Sequence, residues 1–365
     1  MSILHRGDKQ SMTSADNTID LEVCTFASKK EKKRAAAGGI AKNIEIIFVT
    51  GWNETYIKYY ELFKDFNEKG FTVHTYDHRS QGLSGRSEAA SHKQMSYVED
   101  FDDYINDFFK FVELKKDNRT DVKFCLIGHS MGGLVSLHSA GMKPELFECV
   151  IVNAPMIQFK TDGWPWHVAG ALGKFFVALG LGPKFAIGSP QPHWEHNDLL
   201  FGQECTHDQK RLTVYHNQRF NNPQVCLAGP SFRWVLEAYK FCDRFMNIYL
   251  RGDSAFPLRT LMFKETSDRF VKEEAVDAFC EKQKAVVKKV VYHGAYHELF
   301  SEYEAKKARK RAKKNSELPF FWLNRRRTNN REHSDAQLNR MQSGAMPSKK
   351  YTRSLLGRRT WNKRM

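Results

Sequence analysis

One serine stands out by its setting. Gly128-His129-Ser130-Met131-Gly132-Gly133 follows the apolar run Val122–Ile127 and precedes the helix-forming segment Leu134–Ala140. A serine hydroxyl becomes a nucleophile when a sharp strand-to-helix turn presents it and a base removes its proton. Gly128 and Gly132, two residues away on either side, leave room for such an elbow. The start of the following helix would aim the Met131 N–H at a developing oxyanion. The spacing by itself also fits a tight turn that needs only small residues, so the partners must be sought elsewhere. The required order is Ser, then an acid, then His, each in a loop after a later strand. Thr260–Phe263 is followed by Lys264-Glu265-Thr266-Ser267-Asp268, and Val290–Tyr292 by His293-Gly294-Ala295-Tyr296-His297. Asp268 is therefore the candidate acid and His297 the candidate base, with Glu265 and His293 as alternatives. The loop Val49-Thr50-Gly51-Trp52 could supply a second oxyanion donor through the Trp52 N–H; a plain strand-to-helix turn is the alternative there. The chemistry these residues describe is acyl transfer through a covalent serine intermediate.

Holding such groups requires a sheet. Ile44–Val49, Phe71–Tyr76, Val122–Ile127, Cys149–Val152, Thr260–Phe263 and Val290–Tyr292 are short, β-branched-rich apolar runs, and Ile19–Phe26 is a further candidate strand. Helix-period segments lie between them. Tyr97, Phe101, Tyr104, Phe108 and Val112 form one helical face, and Tyr59, Leu62, Phe63 and Phe66 another that Gly70 ends. Strands alternating with helices predict an α/β fold with a mainly parallel sheet flanked by helices on both faces. The alternation breaks after Pro155. Residues 156–246 read as an inserted helical cap between an N-terminal core half, 1–155, and a C-terminal core half, 247–327. Within the cap, Val168–Leu181 falls short of a bilayer span. It reads as an amphipathic helix lying on the core, with a membrane-touching surface as the alternative.

The chain's 365 residues carry a formal net charge of +15, unevenly placed. From Lys306 to Met365 there are 19 Lys/Arg against 3 Asp/Glu, whereas the remainder has 38 against 39. The basicity thus concerns the partners of the C-terminal segment, not the candidate site. Residues 328–365 read as a basic disordered tail. The helical-looking Glu302–Lys314 and apolar Leu318–Leu323 precede it. Nucleic acid is an unlikely partner, because the basic runs Lys306–Lys314 and Arg325–Arg327 lack interleaved aromatic platforms. The seven cysteines form no C-x-x-C pair and read as free thiols in a reducing compartment. No apolar leader of the needed length occurs in Met1–Asp20. His193, Glu195, His196, His207 and Asp208 cluster in sequence without a zinc spacing, so no metal is expected.

Taken in order, "GWNETYIKYYELFKDFNEKGFTVHTYDHRSQGLSGR", "GHSMGG", "NAPM", "GPSFRWVLEA", "SDRFV" and "GAYHELFSE" resemble the α/β-hydrolase superfamily. The resemblance is to the branch holding monoacylglycerol lipases and bacterial lysophospholipases, and it runs from about Gly51 to Glu302. It implies Ser130 as nucleophile, Asp268 as acid, His297 as base, and Trp52 and Met131 as the oxyanion hole. It also implies a structural role for Asp77-His78-Arg79 through Gly85. Two positions depart from the pattern: Thr50 stands where the superfamily often has His, and Ser80 where the branch usually has Gly. The implied activity is hydrolysis of lysophospholipids without a cofactor. Monoacylglycerol hydrolysis, lipid transacylation and an inert lipid-binding role are the alternatives. Trp164, Trp166, Phe175, Phe176 and Leu179 are candidates for an acyl channel or for lipid contact. The chain is expected in the cytoplasm, associating peripherally with a membrane surface through cap and tail. Its oligomeric state stays open.

Overall fold

The computed structural model describes residues 7–28, 43–161, 163–189 and 204–302. An eight-stranded sheet runs through it in the order β1-β2-β4-β3-β6-β7-β9-β10. The strands are β1 (Asp8–Thr13), β2 (Asp20–Phe26), β3 (Asn43–Val49), β4 (Val73–Tyr76), β6 (Val122–His129), β7 (Phe147–Asn153), β9 (Thr260–Glu265) and β10 (Val287–Tyr292). Each of the seven expected runs overlaps a strand, with Phe71–Thr72 and Ile19 falling just before β4 and β2. From β4 to β10 every pairing is parallel; β2 joins β4, and β1 joins β2, antiparallel. The central strands read as unbroken apolar runs because helices cover both faces: Ile46 to Val49 are all buried. β1 breaks that rule. Its sequence DKQSMT buries only Met12, so an edge strand with little apolar content leaves no periodic signal.

The helices are α1 (Tyr60–Glu68), α2 (Asp102–Lys116), α3 (Ser130–Met142), α4 (Trp166–Phe176), α5 (Gln209–Asn221), α6 (Phe232–Met246) and α7 (Glu273–Lys282). Phe101, Tyr104, Phe108 and Val112 form a buried face as their spacing predicts. Tyr97 is buried too, but it precedes the helix and follows β5 (Met95–Ser96), which pairs with β8 (Gly229–Pro230). α3 is buried from Met131 to Ala140, as a central helix must be, and its buried Ser136 and His138 bond the Gly132 and Phe241 carbonyls.

The loop after β4 is structural. Asp77 accepts hydrogen bonds from the Thr55 hydroxyl (2.7 Å) and the N–H groups of Tyr56 and Leu83 (2.8 Å each). Arg79 forks onto Asp107 at 2.7 and 2.8 Å and reaches Asp16 at 2.9 Å, fastening the β1–β2 hairpin to α2. Ser80 has φ of 60°. This left-handed backbone is one that glycine adopts without a Cβ penalty and that a serine must be held in by its surroundings.

Between β7 and β9 the described residues hold the helices α4, α5 and α6, joined by turns and loops, and the two residues of β8. α4 packs on α6 through glycines: a Cβ at Gly170 would stand 2.3 Å from the Tyr239 ring, and one at Gly173 would touch Leu236 at 3.5 Å. Several other large apolar side chains in and beside α4 point outward. Trp164, Leu172, Phe175 and Leu179 are exposed. The inner face of α4 joins these glycines to Trp166, which packs against the core, while Leu172 and Phe175 face outward. The chain turns after α4, where Gly180 adopts φ of 78°. Among the described residues no helix is long and apolar enough to cross a membrane. Glu302–Lys314 beyond its first residue, Leu318–Leu323 and the basic tail lie outside the described residues.

Candidate active site

β3, β6 and β7 end level with one another, with Val49 opposite Gly128 and His129 opposite Asn153. The loops leaving these carboxyl ends, together with those after β9 and β10, converge where open α/β sheets bind ligands. Ser130 sits at the tip of the β6–α3 turn with φ of 53°. A non-glycine residue held there costs roughly 1–3 kcal/mol, so the surroundings must enforce it. They do so through close packing. A Cβ on Gly128 would stand 2.6 Å from the Gly132 carbonyl oxygen. One on Gly132 would stand 2.2 Å from the Thr50 oxygen and 2.4 Å from that of Val49. The second contact also presses the first turn of α3 against the loop carrying Trp52. Met131 is fully buried, and the Trp52 indole N–H donates to the Ser96 hydroxyl at 2.6 Å.

His297 Nδ1 donates to Asp268 Oδ2 at 2.7 Å, and both side chains are buried. Asp268 Oδ1 accepts the N–H groups of Phe270 (2.7 Å) and Val271 (3.1 Å). Burial works against its charge, but the His297 ring and these N–H groups outweigh it and hold the carboxyl below its usual range. Of the two histidines considered, His293 is exposed and His297 carries the bond to Asp268. Glu265 is buried at the end of β9, and among the described residues its carboxyl oxygens have no hydrogen-bond partner. Burial, reinforced by Asp268, raises it well above the usual carboxylate value. It makes no hydrogen bond to His297, whose Nδ1 is held by Asp268.

His129 links this loop to the elbow. Its ring centroid lies 4.7 Å from that of His297. The Asn153 amide donates to His129 Nδ1 at 2.8 Å and to the His297 carbonyl at 3.2 Å. Burial lowers the His129 pKa to about 3, against the pull of Glu54, which keeps the ring neutral and able to accept. Asn153 lies in the NAPM stretch, yet its spacing gives no sign of this function.

Three further charged residues were invisible as site components in the sequence. Lys58 Nζ lies 2.5 Å from both Glu54 Oε1 and Glu298 Oε1, with its side chain only 4% exposed. Glu54 Oε2 accepts the Gly51 N–H at 2.6 Å, and the Tyr59 hydroxyl donates to the same carboxylate. Burial opposes the charges on Lys58 and Glu54, but each partner overcomes it: Lys58 is raised and Glu54 lowered. Lys58 sits in the aromatic run TYIKYYELF, where a solvated helix face is the ordinary reading; no local pattern announces a buried cation.

The substrate-binding candidates divide. Trp166 stacks on Tyr239 (4.6 Å) and Phe159 (5.1 Å), and Phe176 on Phe232 (4.6 Å). Trp164, Phe175 and Leu179 are 58%, 56% and 59% exposed. Of the histidines considered for metal, His193 and His196 lie outside the described residues. His207 bonds Glu302 at 2.9 Å and stacks on Tyr296, while Asp208 caps α5. All seven cysteines are free thiols.

The match to the serine aminopeptidase S33 family spans residues 41–304. The chain belongs to that family. It is also 29% identical to lysophospholipase L2 of Escherichia coli K12, over 65% of this chain and 67% of that protein. Mouse monoglyceride lipase is 23% identical over 68% of this chain and 74% of its own length. The crystal structure of a soluble variant of Saccharomyces cerevisiae monoglyceride lipase superposes with a TM-score of 0.64 at 16% identity, over 88% of this chain and 97% of that one. The fold is that of the α/β-hydrolases, in the lysophospholipase and monoacylglycerol lipase branch, and the chain is an esterase-type serine hydrolase.

Proposed function

We propose that this chain releases fatty acid from a single-chain lipid ester, foremost a lysophospholipid, by a Ser130-His297-Asp268 mechanism. The His297–Asp268 bond, on the loops after β9 and β10 and beside the strained Ser130 turn, is the observation that carries this reading. Asp268 accepts from Nδ1 and so leaves the second ring nitrogen unprotonated and basic. That nitrogen takes the Ser130 proton as Oγ attacks the ester carbonyl. The oxyanion is met by the N–H groups of Trp52 and Met131, each worth roughly 3 kcal/mol of barrier. Protonated His297 then gives its proton to the leaving alcohol, and a water activated by the same ring releases the fatty acid. No cofactor enters these steps.

Trp166 and Phe176, half-buried against α6 and its neighbours, are proposed for the acyl-channel wall. Trp164, Phe175 and Leu179, with Leu172, are proposed to meet the lipid surface from which substrate is drawn, giving a peripheral membrane association. The relation to lysophospholipase L2 supports the lysophospholipid reading, and that to monoglyceride lipase keeps monoacylglycerol as the second substrate class. Lysophospholipids and monoacylglycerols assayed side by side on wild type and Ser130→Ala test the proposal. Higher kcat/KM on lysophospholipid, abolished in the variant, is expected. Activity surviving in Ser130→Ala overturns the mechanism, and a preference for monoacylglycerol overturns the substrate.

A further inference from the structure

We infer that Lys58 is a positioning residue, a buried cationic clamp that holds the oxyanion loop and the histidine loop at a fixed separation beneath Ser130. This rests on the roles proposed above for Ser130, His297 and Trp52. The clamp joins segments far apart in the chain. Through Glu54, Lys58 reaches the N–H of Gly51, the residue immediately before Trp52. Through Glu298, it reaches the residue immediately after His297. Glu54 Oε1 also lies 3.7 Å from Nε2 of His129, the residue immediately before Ser130.

The surroundings leave Lys58 no water to replace these partners. Its ammonium lies 5.0 Å from the centroid of Tyr215 and 5.3 Å from that of Tyr59. Tyr215 comes from α5 and donates its hydroxyl to the Asn53 carbonyl at 3.2 Å. The Glu298 N–H donates to the Cys205 carbonyl at 2.9 Å. Among the described residues, the titratable groups facing the ammonium are thus Glu54 and Tyr59 from its own segment, His129 from the elbow, Glu298 from the histidine loop, and Tyr215 and Cys205 from between β7 and β9. Two carboxylates share one cation. Without it they face each other across a dry space, where repulsion is weakly screened and one of them must take up a proton or move. Either response shifts Gly51 or Glu298, and with them the donor or the base.

The test compares wild type, Lys58→Met and Glu298→Gln as full-length chains. It reads kcat and KM on a soluble short-chain ester, the rate of Ser130 labelling by a fluorophosphonate, the thermal midpoint and the pH–rate profile. Displacement of about 1 Å costs roughly 100-fold in rate. Lys58→Met should therefore lose about 10- to 100-fold in kcat and in labelling rate, with KM within about twofold. It should also acquire a new ionisation, activity falling as pH rises and the second carboxylate charges. Glu298→Gln keeps the Lys58–Glu54 pair and should lose less, in kcat and not in KM; it decides the matter if Lys58→Met does not fold. A folded variant with a lowered thermal midpoint but unchanged kcat, labelling rate and pH profile overturns the clamp, leaving Lys58 a purely structural ion pair. Failure of the wild-type chain to label at Ser130 would instead overturn the functional reading beneath it.

Discussion

The floor of the site and the outer face of α4 treat polarity in opposite ways. Beside the elbow, Glu54, Lys58 and Glu298 form a charged chain in which Lys58 and Glu54 are buried and Glu298 is largely so. On α4, glycines face inward, and Leu172 and Phe175, with Trp164 just before the helix and Leu179 just after it, face out. Buried charges are costly to desolvate and tolerate few arrangements, so they define positions. Clustered exposed apolar side chains gain nothing from the fold and point to something outside it. The first region is built for geometry and the second for contact.

Changes in the two regions should accordingly fail in different ways. Asp268→Asn should cost the most, about 10,000-fold in kcat with little change in KM, because the ring loses the partner that fixes its tautomer; steady-state kinetics on a soluble ester measure it. Gly132→Ala and Gly170→Ala set the two regions side by side. At Gly132 the added methyl meets backbone oxygens that cannot yield, so roughly 1–3 kcal/mol of stability and most activity should be lost. At Gly170 it meets the edge of a half-buried Tyr239 ring, and the gain in helix propensity of about 1 kcal/mol offsets the clash. Equal losses in denaturant titrations would erase the distinction. Changing both Phe175 and Leu179 to Ser should weaken vesicle binding on the order of tenfold or more, on neutral and anionic lipid alike, while the thermal midpoint barely moves. Deleting Thr328–Met365 should weaken only anionic binding, and only at low salt. Sedimentation with vesicles of both compositions separates the two contributions.

The smallest effect is on acid stability. Asp268 is held below its usual value in the folded chain. A carboxyl depressed in this way stabilises the fold above its unfolded pKa near 4 and loses that contribution as pH falls through the lower folded value. Thermal midpoints measured from pH 5 downward should therefore fall less steeply in Asp268→Asn than in wild type. Parallel curves would show that the His297 bond contributes nothing to stability.

Much of the sheet was legible because a strand covered on both faces must be apolar throughout, as Ile46–Val49 is. β1 was not, because an exposed edge strand such as DKQSMT obeys no burial pattern. α4 illustrates a different loss. Its apolar residues repeat with helical spacing, but period alone cannot say that Trp166 packs inward beside the glycines while Leu172 and Phe175 face out.

The candidates Ser130, Asp268 and His297 each came from local context: an elbow between glycines, and two loops that follow strands in the order an acyl-transfer serine requires. Their chemistry depends on residue type and on place along the chain, and both are written in one dimension. Asn153, Glu54, Lys58 and Glu298 depend on something else. A lysine in an aromatic helix run is ordinary until a glutamate 240 residues later in the chain closes over it at 2.5 Å. Which charges are buried together, and which apolar faces are left uncovered, follows from how distant segments meet. That is a property of tertiary packing, because desolvation belongs to a place in space and not to a position in the chain.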